Sequence, residues 1–129
     1  MGNTIRLNNK QPVEEWLTMS NIGTDIFLEL IINAASTGTF SQNELISYLR
    51  EQKEINEIAP GTASLDIDEM PWNNDTMCED VEFLIDVVEK AKDRSLWEKL
   101  GLDLNEEIVI PRFDQYIKML KKLGKIAGV

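Results

Sequence analysis

Apolar positions along this chain recur mainly at spacings of three and four, the signature of helices with one buried face. The clearest case runs from Thr76 to Asp93, where Met77, Val81, Leu84, Ile85, Val88 and Ala91 share one face. A second helix, about Asp25 to Ser36, is apolar on most sides. Its Ile26, Phe27, Leu28, Leu30, Ile31, Ile32, Ala34 and Ala35 leave Asp25, Glu29, Asn33 and Ser36 as a narrow polar stripe. A helix with so little polar surface must be covered nearly all round, which places it at the centre of the domain. Ser41-Gln42-Asn43-Glu44 reads as a capping box. It opens a helix to Ile55 or Ile58 that buries Leu45, Ile46, Leu49 and Gln52. A last helix, Arg112 to Leu123, buries Phe113, Tyr116, Ile117 and Leu120, with Gly124 as its stop.

The remaining segments are less regular. Residues 1–11 are polar and read as an extended arm. Pro12 suits a first helical position and predicts a short helix to Met19 that turns Val13, Trp16 and Leu17 inward. Asn21-Ile22-Gly23 then breaks the chain, and Thr24 caps the central helix. Residues 59–75 form an irregular acidic loop, with Asn74 or Asp75 capping the helix that follows. Ser95 to Leu100 makes a further turn or two, with Gly101 at its end. Asn105 to Pro111 reads as either extended or helical, since a proline disfavours the helical region in the residue before it. The expected fold class is all-α: one domain over residues 1–129, five or six helices around the segment 25–36.

Composition removes much chemistry. The chain has 129 residues, of which 43% are hydrophobic and 28% charged, a globular balance. It has no histidine and one cysteine, Cys78. Histidine-dependent triads, His-ligated zinc and a histidine general base are therefore excluded, and so is an internal disulfide. A single thiol fits a reducing compartment. The start, Met1 to Arg6, has no apolar segment of a secretory signal. The longest apolar stretch, Ile26 to Ala35, is far short of the roughly 20 residues that span a bilayer. These features give the expectation of a cytoplasmic protein with no membrane association, no cofactor and no catalytic residue.

Charge sharpens the picture. Thirteen Lys and Arg stand against 23 Asp and Glu, a net charge of −10. Residues 54–89 carry no basic side chain at all, whereas the C-terminal end is basic through Lys118, Lys121, Lys122 and Lys125. Cations at a helix C-terminus are explained by the helix dipole. On the helix from Thr76, residues turn about 100° each, so Asp75, Glu79, Glu82, Asp86, Glu89 and Asp93 form one stripe. At 1.5 Å per residue it is roughly 27 Å long. Like charges four residues apart weaken a helix by a few tenths of a kcal/mol per pair. Such a stripe is either a solvated outer face or a docking surface for a basic protein, whose approach it would accelerate. It repels nucleic-acid phosphates, so direct DNA or RNA binding is not expected.

The candidate partner-binding residues are Asp66, Asp68, Glu69, Trp72, Asp75, Glu79, Glu82, Asp86 and Glu89. Trp72 joins the acids because tryptophan is a favoured interface anchor, although packing over the core is its commoner use. The expected function is that of a small acidic binding protein that sequesters a basic toxin or nuclease, like an immunity protein or antitoxin. Two other classes fit the same residues. One is a hydrolase that binds a divalent metal through the 66–82 carboxylates, although the spacing is not that of an EF-hand. The other is a non-catalytic helical scaffold.

Overall fold

Asn3 and Ile5 face inward while Gly2 and Thr4 face out, and Leu17 and Met19 alternate likewise with Thr18 and Ser20. A period of two is a strand pattern. The computed structural model, which describes residues 2–128, pairs the two segments as β1 (Gly2–Ile5) and β2 (Leu17–Ser20). They run antiparallel, with Asn3 opposite Met19 and Ile5 opposite Leu17. One expectation is refined here and one is corrected. The extended arm is a strand that packs on the core, since Ile5 and Leu7 are buried. Pro12–Met19 is not a helix: only Val13–Glu15 makes a 3-10 turn, and Val13 is 65% exposed. Burying Leu17 and Met19 against the partner strand outweighs the helix start that Pro12 offers.

Ser20 ends β2 and caps α1 (Asn21–Ala34), its hydroxyl accepting from the Gly23 N–H at 2.9 Å. Asn21-Ile22-Gly23 therefore opens the helix instead of breaking it. Thr24 is fully buried one turn in and donates to the Ser20 carbonyl at 2.9 Å, so it is not the cap. Leu30 and Ile31 have no exposed surface, and α1 touches both strands and each of the other helices. The central placement expected from its apolar girth is what the fold shows. Phe27 on α1 stacks on Phe113 at 4.8 Å and meets Tyr116 edge-on at 5.3 Å.

The next helix, α2 (Phe40–Ile58), buries Leu45, Ile46, Leu49 and Gln52 as expected. Its capping box is formed by Thr39 and Gln42 instead of Ser41 and Glu44. Residues 59–75 contain one 3-10 turn, Ile67–Glu69, tied to the N-terminal segment. The Ile67 and Asp68 N–H groups donate to the carbonyls of Arg6 and Leu7. Then comes α3 (Met77–Ala91), buried along Val81, Leu84, Val88 and Ala91. Neither Asn74 nor Asp75 caps it. Thr76 holds the cap position but directs its hydroxyl to Asp80. A short α4 (Arg94–Lys99), capped by Asp93, ends near Gly101, whose φ of 71° suits glycine.

The final helix, α5, runs from Glu106 to Gly128 with Pro111 inside it. The stretch 105–111, open between extended and helical from sequence, is thus helical from Glu106, and the expected stop at Gly124 is corrected. Proline removes one helical N–H, but Glu107, Ile108 and Pro111 lie on an exposed side. The opposite side buries Val109 in line with Phe113 and Tyr116, and that burial carries the helix through the proline. The result is one all-α domain with a two-stranded sheet at its edge, in which α3 and α5 pack along each other. Among the described residues, no helix is long and apolar enough to cross a membrane.

Candidate interaction surface

Because α3 buries one face under α1 and α5, the opposite face must point to solvent. Glu79, Glu82, Asp86 and Glu89 are all exposed there, as the stripe geometry required, whereas Asp75 is exposed in the turn before the helix. Their ion pairing is sparse. Glu89 meets Lys92 at 3.3 Å, but Lys92 lies closer to Asp114, at 2.7 Å. Among the described residues, Asp75, Glu79, Glu82 and Asp86 form no ion pair. Asp93, at the end of the stripe, accepts from the Ser95 N–H and hydroxyl. Those two bonds hold its carboxyl below the usual range.

Asp80 lies on the same helix and does the reverse. It is fully buried, and Thr76 Oγ1 donates to its Oδ2 at 2.8 Å. Its Oδ1 has no hydrogen-bond partner among the described residues. Acidic composition alone could not separate this residue from its exposed neighbours.

Beside the stripe, the seam between α3 and α5 opens into a groove of about 690 Å³. Cys78, Val81 and Ile85 give it an apolar floor, with Glu82 and Asp86 on one wall and Lys121 and Lys125 on the other. The sequence reading assigned the lysines to a helix end and missed this juxtaposition. Their i, i+4 spacing placed them on one face, but only the packing of α5 on α3 shows which wall they face. Gly124 also lines the groove, where a Cβ would just touch Val81 at 3.4 Å.

The loop acids form a separate cluster. One ligand oxygen from each of Asp66, Asp68 and Glu69 lies within 4.8 Å of the others, the only such set among the described residues. The 66–82 carboxylates are therefore not gathered into one site. Arg6 already neutralises Asp66, with Nη2 donating to Oδ2 at 2.7 Å. Ser64 donates to Glu69 at 2.8 Å. Asp68 is exposed, yet partial burial and the charges of Asp66 and Glu69 raise its carboxyl pKa. A divalent ion at these oxygens would have to compete with a guanidinium supplied by the chain itself.

Trp72 is half-buried, packs on the core and donates its indole N–H to the Ile67 carbonyl at 2.7 Å. It is thus anchored to the loop, with part of its ring surface left outside. Trp97 is fully enclosed, with its N–H on the Ala91 carbonyl at 2.8 Å. Compared with known protein families, curated proteins and solved structures, the chain matches none.

Proposed function

We propose that this protein is a non-catalytic binding protein of the cytoplasm that docks a basic protein on the outer face of α3, as an immunity or antitoxin-like inhibitor masks a toxin or nuclease. One observation carries this reading: among the described residues, Glu79, Glu82 and Asp86 stand exposed along α3, and neither they nor the exposed Asp75 before the helix forms an ion pair. Mutual repulsion along a helix costs stability, and a cationic partner converts that cost into attraction. Such surfaces act mainly on encounter, raising the association rate and making it sensitive to salt. The half-exposed Trp72 and the loop acids Asp68 and Glu69 are the remaining candidate contacts.

The test is capture of basic proteins from the source cells at low salt, comparing the natural chain with a Glu79→Lys, Glu89→Lys variant. Retention of one basic protein by the natural chain, and its loss from the variant, is expected. Equal retention by both, or retention of no basic protein, would remove the stripe from any docking role.

A further inference from the structure

The two-stranded sheet leaves one edge of β1 open, and the loop 59–75 runs past that edge. Where they meet, Arg6 turns both of its backbone groups away from β2. Its N–H donates to Asp66 Oδ1 at 3.2 Å, and its carbonyl accepts from the Ile67 N–H at 2.8 Å. Backbone groups of an extended chain face the same edge at every second residue. The N–H and carbonyl of Thr4 therefore also point away from β2, and among the described residues neither meets a partner.

The gap they point into is a cleft of about 340 Å³ between β1 and the segment 62–65. Its far wall is held back by α2. Gln52 Oε1 accepts from the Ser64 N–H at 2.7 Å, and the Tyr48 hydroxyl donates to the Ser64 carbonyl at 2.8 Å. The loop would give up both bonds to close on β1, so the edge stays open beyond Arg6. Ala63 and Leu65, on the same wall, make no backbone hydrogen bond among the described residues. The mouth is acidic: Glu69 lines it, Asp68 stands beside Glu69, and Arg6 neutralises only Asp66. We propose that this cleft receives an extended, basic segment of another protein, which adds a strand to the open edge of β1.

In strand addition the main-chain bonds supply affinity and the neighbouring side chains supply selectivity. Here Thr4 offers the segment a donor and an acceptor, and the exposed Asp68 and Glu69 select a lysine or arginine on it. A second copy pairing β1 with β1 would bring its own Asp68 and Glu69 to the same mouth, opposing acid to acid. None of the α3 acids lines the cleft. The claim therefore goes beyond the docking on α3, and the two can fail separately.

The experiment titrates the isotope-labelled chain with the peptide acetyl-Lys-Val-Lys-Val-Lys-amide at physiological salt, following backbone amide shifts and hydrogen exchange by NMR. Shifts are expected at Thr4, Ala63 and Leu65, with slowed exchange of the Thr4 amide, which is open in the free chain. The same peptide N-methylated at every residue keeps its charge but loses its main-chain donors, and should bind at least about tenfold more weakly. An Asp68→Asn, Glu69→Gln variant should also bind the peptide severalfold more weakly, whereas Glu79→Lys, Glu89→Lys should keep the protection of Thr4. Shifts confined to α3, or equal binding of the N-methylated peptide, would overturn the proposal. So would unchanged affinity in the Asp68→Asn, Glu69→Gln variant. Protection of Thr4 that rises with protein concentration alone would give the edge to a second copy instead.

Discussion

Arg6 grips Asp66 with three donors: its backbone N–H at 3.2 Å and Nε at 3.3 Å on Oδ1, and Nη2 at 2.7 Å on Oδ2. Sixty residues apart in sequence, the two tie the loop 59–75 to the segment that follows β1. The guanidinium also lies 5.4 Å over the Trp16 ring. Asp66→Ala leaves a partly buried backbone donor and a cation without their acceptor, a change that costs about 1–3 kcal/mol. Urea unfolding should show that loss, with a smaller one for Asp66→Asn, which keeps one acceptor oxygen. An unchanged midpoint in the alanine variant would mean that the loop is not held by this pair.

The central place of α1 gives a second expectation. Ile31 has no exposed surface, while Ile22 on the same helix is 76% exposed. Ile31→Ala opens a cavity where neighbouring elements cannot collapse and should cost about 2–5 kcal/mol. Ile22→Ala removes almost nothing from the core and should stay within about 0.5 kcal/mol. Similar losses at both positions, read from urea midpoints, would contradict this packing.

Stability should fall on the alkaline side. Hydrogen bonds to Glu57 and then Glu29 raise the pKa of Lys53 above its ordinary 10.5, and Asp114 and Glu89 do the same for Lys92. Burial raises the Tyr116 phenol above its ordinary 10.0. All three groups hold their protons more tightly folded than unfolded. Their stabilisation is complete below the ordinary values and is lost as the pH climbs through the raised ones. Urea midpoints should hold steady from neutrality to about pH 9.5 and then drop. Absorbance at 295 nm should show the Tyr116 phenolate appearing together with the loss of helical circular dichroism. Its ionisation in a chain that keeps its full helix signal would show that the ring is not enclosed.

What the sequence made legible was governed by nearby residues. Val81, Leu84 and Val88 recur at helical spacing, and Leu45, Ile46, Leu49 and Gln52 mark the buried side of α2, so those helices could be placed from pattern alone. The hairpin could not, because Asn3 hides the alternation of β1. Its amide is buried only because Asn21, Thr24 and Asn56 offer it acceptors at 3.2, 3.1 and 2.9 Å. Asn56 lies 53 residues away, and no local signal announces it. Pro111 left 105–111 ambiguous for a similar reason, since burial of Val109 and Phe113 is a tertiary effect that overrides a local preference. For the candidate surface, helical geometry was enough to place the stripe. The burial of Asp80, the Arg6 clamp on Asp66 and the lysine wall across the groove all depend on which elements meet.

The stripe itself makes the last expectation. Glu82 and Asp86 are four residues apart on an exposed face, a repulsive spacing. Asp86→Lys turns this into Glu followed by Lys at i+4, the favourable order for a helix, and adds an attraction to Glu89 at i+3. The new lysine also lies four residues before Lys90, which offsets part of the gain. The net change should be a few tenths of a kcal/mol, or a rise of about 1–3 °C in the melting temperature for a domain of this size. It should be measured by circular dichroism. A docking role predicts that the same variant binds a basic partner more slowly while it melts later, because a residue kept for binding is not the one best for the fold. A fall of several degrees would mean instead that Asp86 supports its own chain, and the stripe would lose its strongest argument for a partner.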